Sequence, residues 1–152
     1  MSGDFSGLAH EAEGVGIQFT LTVDALASKT GNRIFFQPNL LNAWSTAPPK
    51  LSRRRQTVIL NYAFTDRDTI YWQIPTGYKV ESLPAAATIE TEFASFHSSL
   101  ETRDREMVFI RRLEFRDNRL EPEMWDAYQD FAARVVAADR AQVVLVKEPV
   151  AE

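Results

Sequence analysis

Cysteine is absent from all 152 residues, which removes a disulfide framework, a thiolate nucleophile and a Cys-ligated zinc site together. The absence assigns no compartment, because a chain without thiols tolerates reducing and oxidising surroundings equally. An excess of cations is missing too: the net charge is -4 and the isoelectric point is near 5.3. Binding to nucleic acid needs clustered positive charge to meet phosphates, so a nucleic-acid partner is not expected. No apolar run approaches the roughly 18 residues needed to cross a bilayer as a helix. The amino-terminal MSGDFSGLAHEAEG is acidic and Gly-rich, without the cationic segment and apolar stretch of a secretory signal. Residues 1–14 are expected to be a flexible lead-in.

What the chain does have is aromatic bulk. Ten Phe, four Tyr and three Trp can each remove up to about 150–250 Å² from water, ample for one core in a chain of single-domain length. Period-two alternation marks the strands. Ile17 to Val23 places Ile17, Phe19, Leu21 and Val23 on one face; after the polar turn Ser28 to Asn32, RIFFQP is a second strand ended by Pro38, and the two are expected to pair. Asn39 to Lys50, with Pro48 and Pro49, has neither period and is expected to be a loop or short helical turn. Val58, Leu60, Tyr62 and Phe64 share the next inward face. The tetrad Thr65-Asp66-Arg67-Asp68 then looks like a hairpin turn before Ile70, Trp72 and Ile74. Pro75 and Gly77 supply the turn of IPTGY. Ala87 to Phe93 alternates again, Phe96 and Leu100 extend it, and Thr102 to Arg105 turns the chain into MVFIRRLEF. The front half of that strand is apolar on both faces and is expected to lie mid-sheet with cover on each side.

The period changes at Met124, Trp125, Tyr128, Phe131, Ala132, Val135 and Val136, the stripe of an amphipathic helix opened by Pro122, over about 122–138. The β-branched run VVLVK follows as an interior strand. Seven or eight short strands and one late helix predict a mainly β fold: an antiparallel β-sandwich, immunoglobulin- or fibronectin-like, over residues 15–148, with the helix before the last strand and a tail at 149–152.

Few residues suggest chemistry. His97 could be set beside Ser95, Ser98 or Ser99 for hydrolysis, but neighbours along a strand point to opposite faces, so His97 and Ser98 cannot meet as base and nucleophile without a bend. His10 lies far away in the lead-in. Asp66, Asp68, Glu90 and Glu92 read as polar turn and strand-face residues rather than a metal site, and no cofactor is expected. The run Arg53-Arg54-Arg55 reads as a solvated face or an interdomain contact. Arg111, Arg112, Arg116 and Arg119 are balanced by Glu114, Asp117, Glu121 and Glu123. Trp72 and Trp125 fall on apolar stripes, which leaves Trp44, in the proline-rich loop, as the tryptophan expected at the surface. Trp44 and Arg53 to Arg55 are the candidate binding surface.

The order NRIFFQPNLL, RRRQTVILNYAF, IPTGYKVESLP, TEFASF, EPEMWDAYQDF and VVLVK, from about Arg33 to Lys147, resembles the C-terminal domain of unknown function that follows a transglutaminase-like core in bacterial multidomain proteins. The resemblance implies a papain-like Cys-His-Asp core upstream, preceded by a further β-rich domain, and neither is in this sequence. It brings no catalytic residues to positions here. It implies instead a non-catalytic accessory domain whose partners are the upstream domains of the same polypeptide, in the periplasm or cell envelope. An independent glycan- or peptide-binding module using Trp44 and an open sheet edge is the alternative.

Overall fold

A computed structural model describes residues 2–6, 16–20, 26–49, 55–60 and 62–149. The strands are β1 (Ser2–Ser6), β2 (Gly16–Thr20), β3 (Ser28–Thr30), β4 (Arg33–Phe36), β5 (Val58–Ile59) and β6 (Phe64–Gln73), then β7 (Tyr78–Ser82), β8 (Ala87–Glu90), β9 (Ala94–Arg103), β10 (Glu106–Phe115) and β11 (Arg119–Leu120). A single 3-10 turn, Pro122–Met124, leads into helix α1 (Trp125–Asp139), and β12 (Val143–Lys147) closes the fold. Among the described residues all pairings are antiparallel. One four-stranded sheet runs β6-β10-β9-β8 and the other β3-β4-β12-β7, so β10 and β12 are interior strands.

The inner face of β10 shows how these layers share one core. Its alternate residues Met107, Phe109, Arg111, Leu113 and Phe115 are all buried. Met107 and Phe109 join Leu100 of β9 and Phe36, Val143 and Leu145 of the second sheet in one apolar cluster. Leu113 and Phe115 join Ile89, Phe96, Phe131 and Val135 in another, where α1 covers the sheet. Half of this face is therefore roofed by a sheet and half by the helix. The chain passes from one roof to the other between Asp139 and Val143.

The mainly antiparallel β architecture, the helix placed before the last strand and the interior position of VVLVK match the reading of the sequence. Pro75 and Gly77 form their turn, with Gly77 at φ 78° and the Tyr78 amide donating to the Pro75 carbonyl. Several local expectations are corrected. The hairpin partner of β4 is β3, across Gly31 and Asn32. β2 pairs instead with Ser2–Ser6, inside the stretch expected to be a flexible lead-in. Ile17, expected to face inward, is 59% exposed; Leu21 and Val23 lie outside the described residues. The tetrad Thr65 to Asp68 is no turn, because β6 runs straight through it in unbroken register with β10. The turn that went unread is at Thr91, whose hydroxyl and backbone close a loop on Ala94 and fold β8 against β9. Tyr62 is exposed rather than inward. β10 is central but covered on one face only, with Ile110 43% exposed on the other.

On the outer face of the second sheet, Arg33 of β4 grips both carboxylate oxygens of Glu81 on β7. The Arg33 hydrogen bond holds the Glu81 carboxyl below its ordinary range, reinforced by charge attraction and opposed by desolvation. A depressed carboxylate contributes stability above its unfolded pKa and loses it as pH falls through the folded one. The stability gap between the native chain and Glu81→Gln should therefore shrink on acidification from about pH 6 to about pH 3. Chemical denaturation at each pH checks this, and a gap that stayed constant or widened would contradict it. The pair is exposed, so the effect is small.

Candidate functional site

Strict alternation along β10 puts residue 111 on the core face, and the residue there is arginine. Arg111 is 1% exposed. A guanidinium this deep needs a partner, since an isolated buried charge is strongly unfavourable. Asp139, the last residue of α1 and 2% exposed, supplies it: Arg111 Nε donates to Oδ1 at 3.0 Å and Nη2 to Oδ2 at 3.1 Å. This two-point fit is the geometry that makes arginine the residue for buried carboxylates. A carboxylate at a helix C-terminus opposes the negative end of the helix dipole, and the guanidinium offsets that as well. The Arg111 Cζ also sits 5.3 Å from the centre of the Phe96 ring, a cation–π contact in a desolvated site.

The sheet register extends the polar site sideways. Arg111 lies opposite Asp68 on β6 and Ser98 on β9. Asp68, Arg111 and Ser98 thus form a polar row across the inner face between the two apolar clusters. Arg111 Nη1 reaches Asp68 Oδ2 at 3.5 Å, a charge contact too long for a good hydrogen bond, so both atoms stay without one.

Asp139 also holds the loop after β4. Asn39 Nδ2 donates to Oδ1 at 3.0 Å and the Trp44 backbone N–H to Oδ2 at 2.9 Å. Each carboxylate oxygen therefore accepts two hydrogen bonds, which fills the roughly four acceptor positions a carboxylate offers. Such a group has no lone pair left to take a proton from a substrate. Further ties run from Asn42 Nδ2 to Asp68 Oδ1 at 2.8 Å, from Trp72 Nε1 to the Pro38 carbonyl at 3.1 Å and from Arg140 Nη2 to the Ser45 carbonyl. Beside this loop lies an open groove of about 510 Å³ bordered by Leu26, Phe35, Asn39, Leu40, Ala43 and Gln142 among others.

The described residues among those singled out from sequence do not meet at one place. Trp44 is corrected from surface platform to packing residue: it is half-buried, stacks on Phe115 at 6.2 Å and meets the edge of Phe131 at 6.5 Å. Arg55 is exposed, while Arg53, Arg54 and His10 lie outside the described residues. His97 is exposed and contacts the Thr88 hydroxyl, whereas Ser98 is buried on the opposite face. Asp66, Asp68, Glu90 and Glu92 do not gather into a cation site: among the described residues no three His, Asp or Glu side chains are placed to hold a metal. Arg112, Arg116 and Arg119 pair at the surface with Glu114, Glu90 and Glu121, whereas Arg111, grouped with them in the sequence as a cation balanced by nearby acids, is a buried hub. Asp139 was not anticipated at all.

No curated protein matches the chain. Among solved structures it resembles a crystal structure of a putative protease from Parabacteroides distasonis ATCC 8503, with a TM-score of 0.59 and 13% identity. The similarity takes in 75% of this chain and 23% of that one. At this identity the likeness is one of fold. The chain spans under a quarter of that protein's length. A family model, described as a domain of unknown function with solved structure, DUF3858, matches residues 32–145, from the turn before β4 into β12, and the chain belongs to that family.

Proposed function

We propose that this domain is a non-catalytic accessory unit of a longer transglutaminase-like bacterial protein, packing against or orienting its catalytic core in the cell envelope. The observation that carries this reading is the use of the ionisable groups. In the most organised constellation, that of Arg111 with Asp139, the Asp139 carboxylate has its hydrogen-bonding capacity consumed in joining helix, sheet and loop. The small share of the Parabacteroides protein that this fold covers supports a setting beside other domains. A contact surface is available on the outer face of β6-β10-β9-β8, where Tyr71 is 64% and Ile110 43% exposed, with Val108 directly opposite Tyr71. Binding a glycan through Trp44 is the weaker reading, because its ring packs against Phe115 and Phe131.

Two assays test the proposal. The purified domain is expected to leave peptide and ester substrates at the uncatalysed rate, with His97→Ala no different. In the parent protein, Tyr71→Lys with Ile110→Lys is expected to weaken association of separately expressed domain and core by about tenfold or more, as burying unpaired charge at a contact should. Enzyme-like turnover abolished by His97→Ala would overturn the proposal, and so would a core that neither binds the domain nor changes its activity in the domain's presence.

A further inference from the structure

We infer that residues 38–49 form a releasable strap over the seam between helix and sheet, with the carboxylate of Asp139 as its central latch. Three observations point to it. First, among the described residues no backbone-to-backbone hydrogen bond ties this stretch to a sheet; its ties pass through side chains, two of them converging on Asp139. A segment so attached lacks the ladder that gives neighbouring strands their cooperative stability. Second, the latched state leaves the Asn39 side-chain amide oxygen, Oδ1, buried without a partner, a desolvation cost that release to water removes. Third, the stretch between the anchors Asn39 and Trp44 projects outward, with Leu41 48% exposed and Asn42 and Ala43 also exposed.

The latch has a structural consequence. Asn39, Leu40 and Ala43 line the open groove beside β3 and β4, so the position of the strap sets the width of that groove. The Arg111–Asp139 pair belongs to the sheet and helix and stays formed when the strap lifts. Asp139 is thus a positioning residue for the groove wall, acting through Asn39 and the Trp44 amide.

Hydrogen exchange on the full chain tests this. Asn39→Ala removes one latch bond and spares the Arg111–Asp139 pair, so amides of residues 40–47 should exchange about fivefold faster or more, the worth of one hydrogen bond. Amides of β9 and β10 should keep their native protection. Should that variant fail to fold, Asn42→Ala, whose bond to Asp68 lies at the surface, is expected to give the same selective acceleration at residues 41–43. Unchanged exchange in the strap, or acceleration of strap and β10 by the same factor, would overturn the inference.

Discussion

Arg111→Ala is expected to destabilise the domain by about 3–5 kcal/mol, the range found when one member of a buried ion pair is removed and the other charge is left uncompensated. Asp139 would remain at the end of α1, desolvated and facing the negative end of the helix dipole, with only the Asn39 amide and the Trp44 N–H to stabilise it. The cavity left by the long side chain adds to the loss, and so does the missing contact with Phe96. Equilibrium urea unfolding would read the change as a lower midpoint. A loss below about 1 kcal/mol, the ordinary worth of an exposed pair, would mean that the site is more solvated than its burial indicates.

Phe115→Ala is expected to cost about 3–5 kcal/mol for a different reason. Phe115 is 3% exposed and its ring lies within 6.5 Å, centre to centre, of Trp44, Phe64, Phe93, Tyr128 and Phe131. It touches the loop, β6, the β8–β9 turn and α1 from the end of the central strand. Rings held from so many directions cannot collapse into the void, so most of the cavity should persist. A fall in Tm on the order of 10 °C is the expected readout for a domain of this size. A fall of only a degree or two would show that the aromatic cluster repacks, and the hub role would be lost.

How much of this could be read from the sequence differs by element. VVLVK, the helix stripe from Trp125 to Val136 and the IPTGY turn were legible because each follows one period or one dihedral constraint. The centre of the fold was not read, although it is encoded in the same periods. Arg111 falls between Phe109 and Leu113 on the inward alternation of β10. Asp139 falls seven residues after Ala132 and four after Val135 on the buried stripe of α1. Asp68 interrupts the inward series that Ile70 and Trp72 continue. A charge on an apolar face reads locally as an error in the period, and at residues 65–68 it reads as a turn. Only pairing across β6, β10 and α1 shows that these interruptions meet. Trp44 was misread for a related reason: a proline-containing loop looks solvated until the side chains that hold it down are known. The exposed positions Ile17 and Ile110 were misread the other way, since alternation says which residues share a face but not whether anything covers it.

A double-mutant cycle on Arg111 and Asp139 tests most directly whether this buried pair is the joint of the fold. With Arg111→Met, Asp139→Leu and both together, each single variant should lose several kcal/mol. The double should lose less than their sum, with a coupling of about 1–3 kcal/mol. Losses that simply add would contradict the account, because two side chains that do not sense each other's removal are not what binds helix, sheet and loop together.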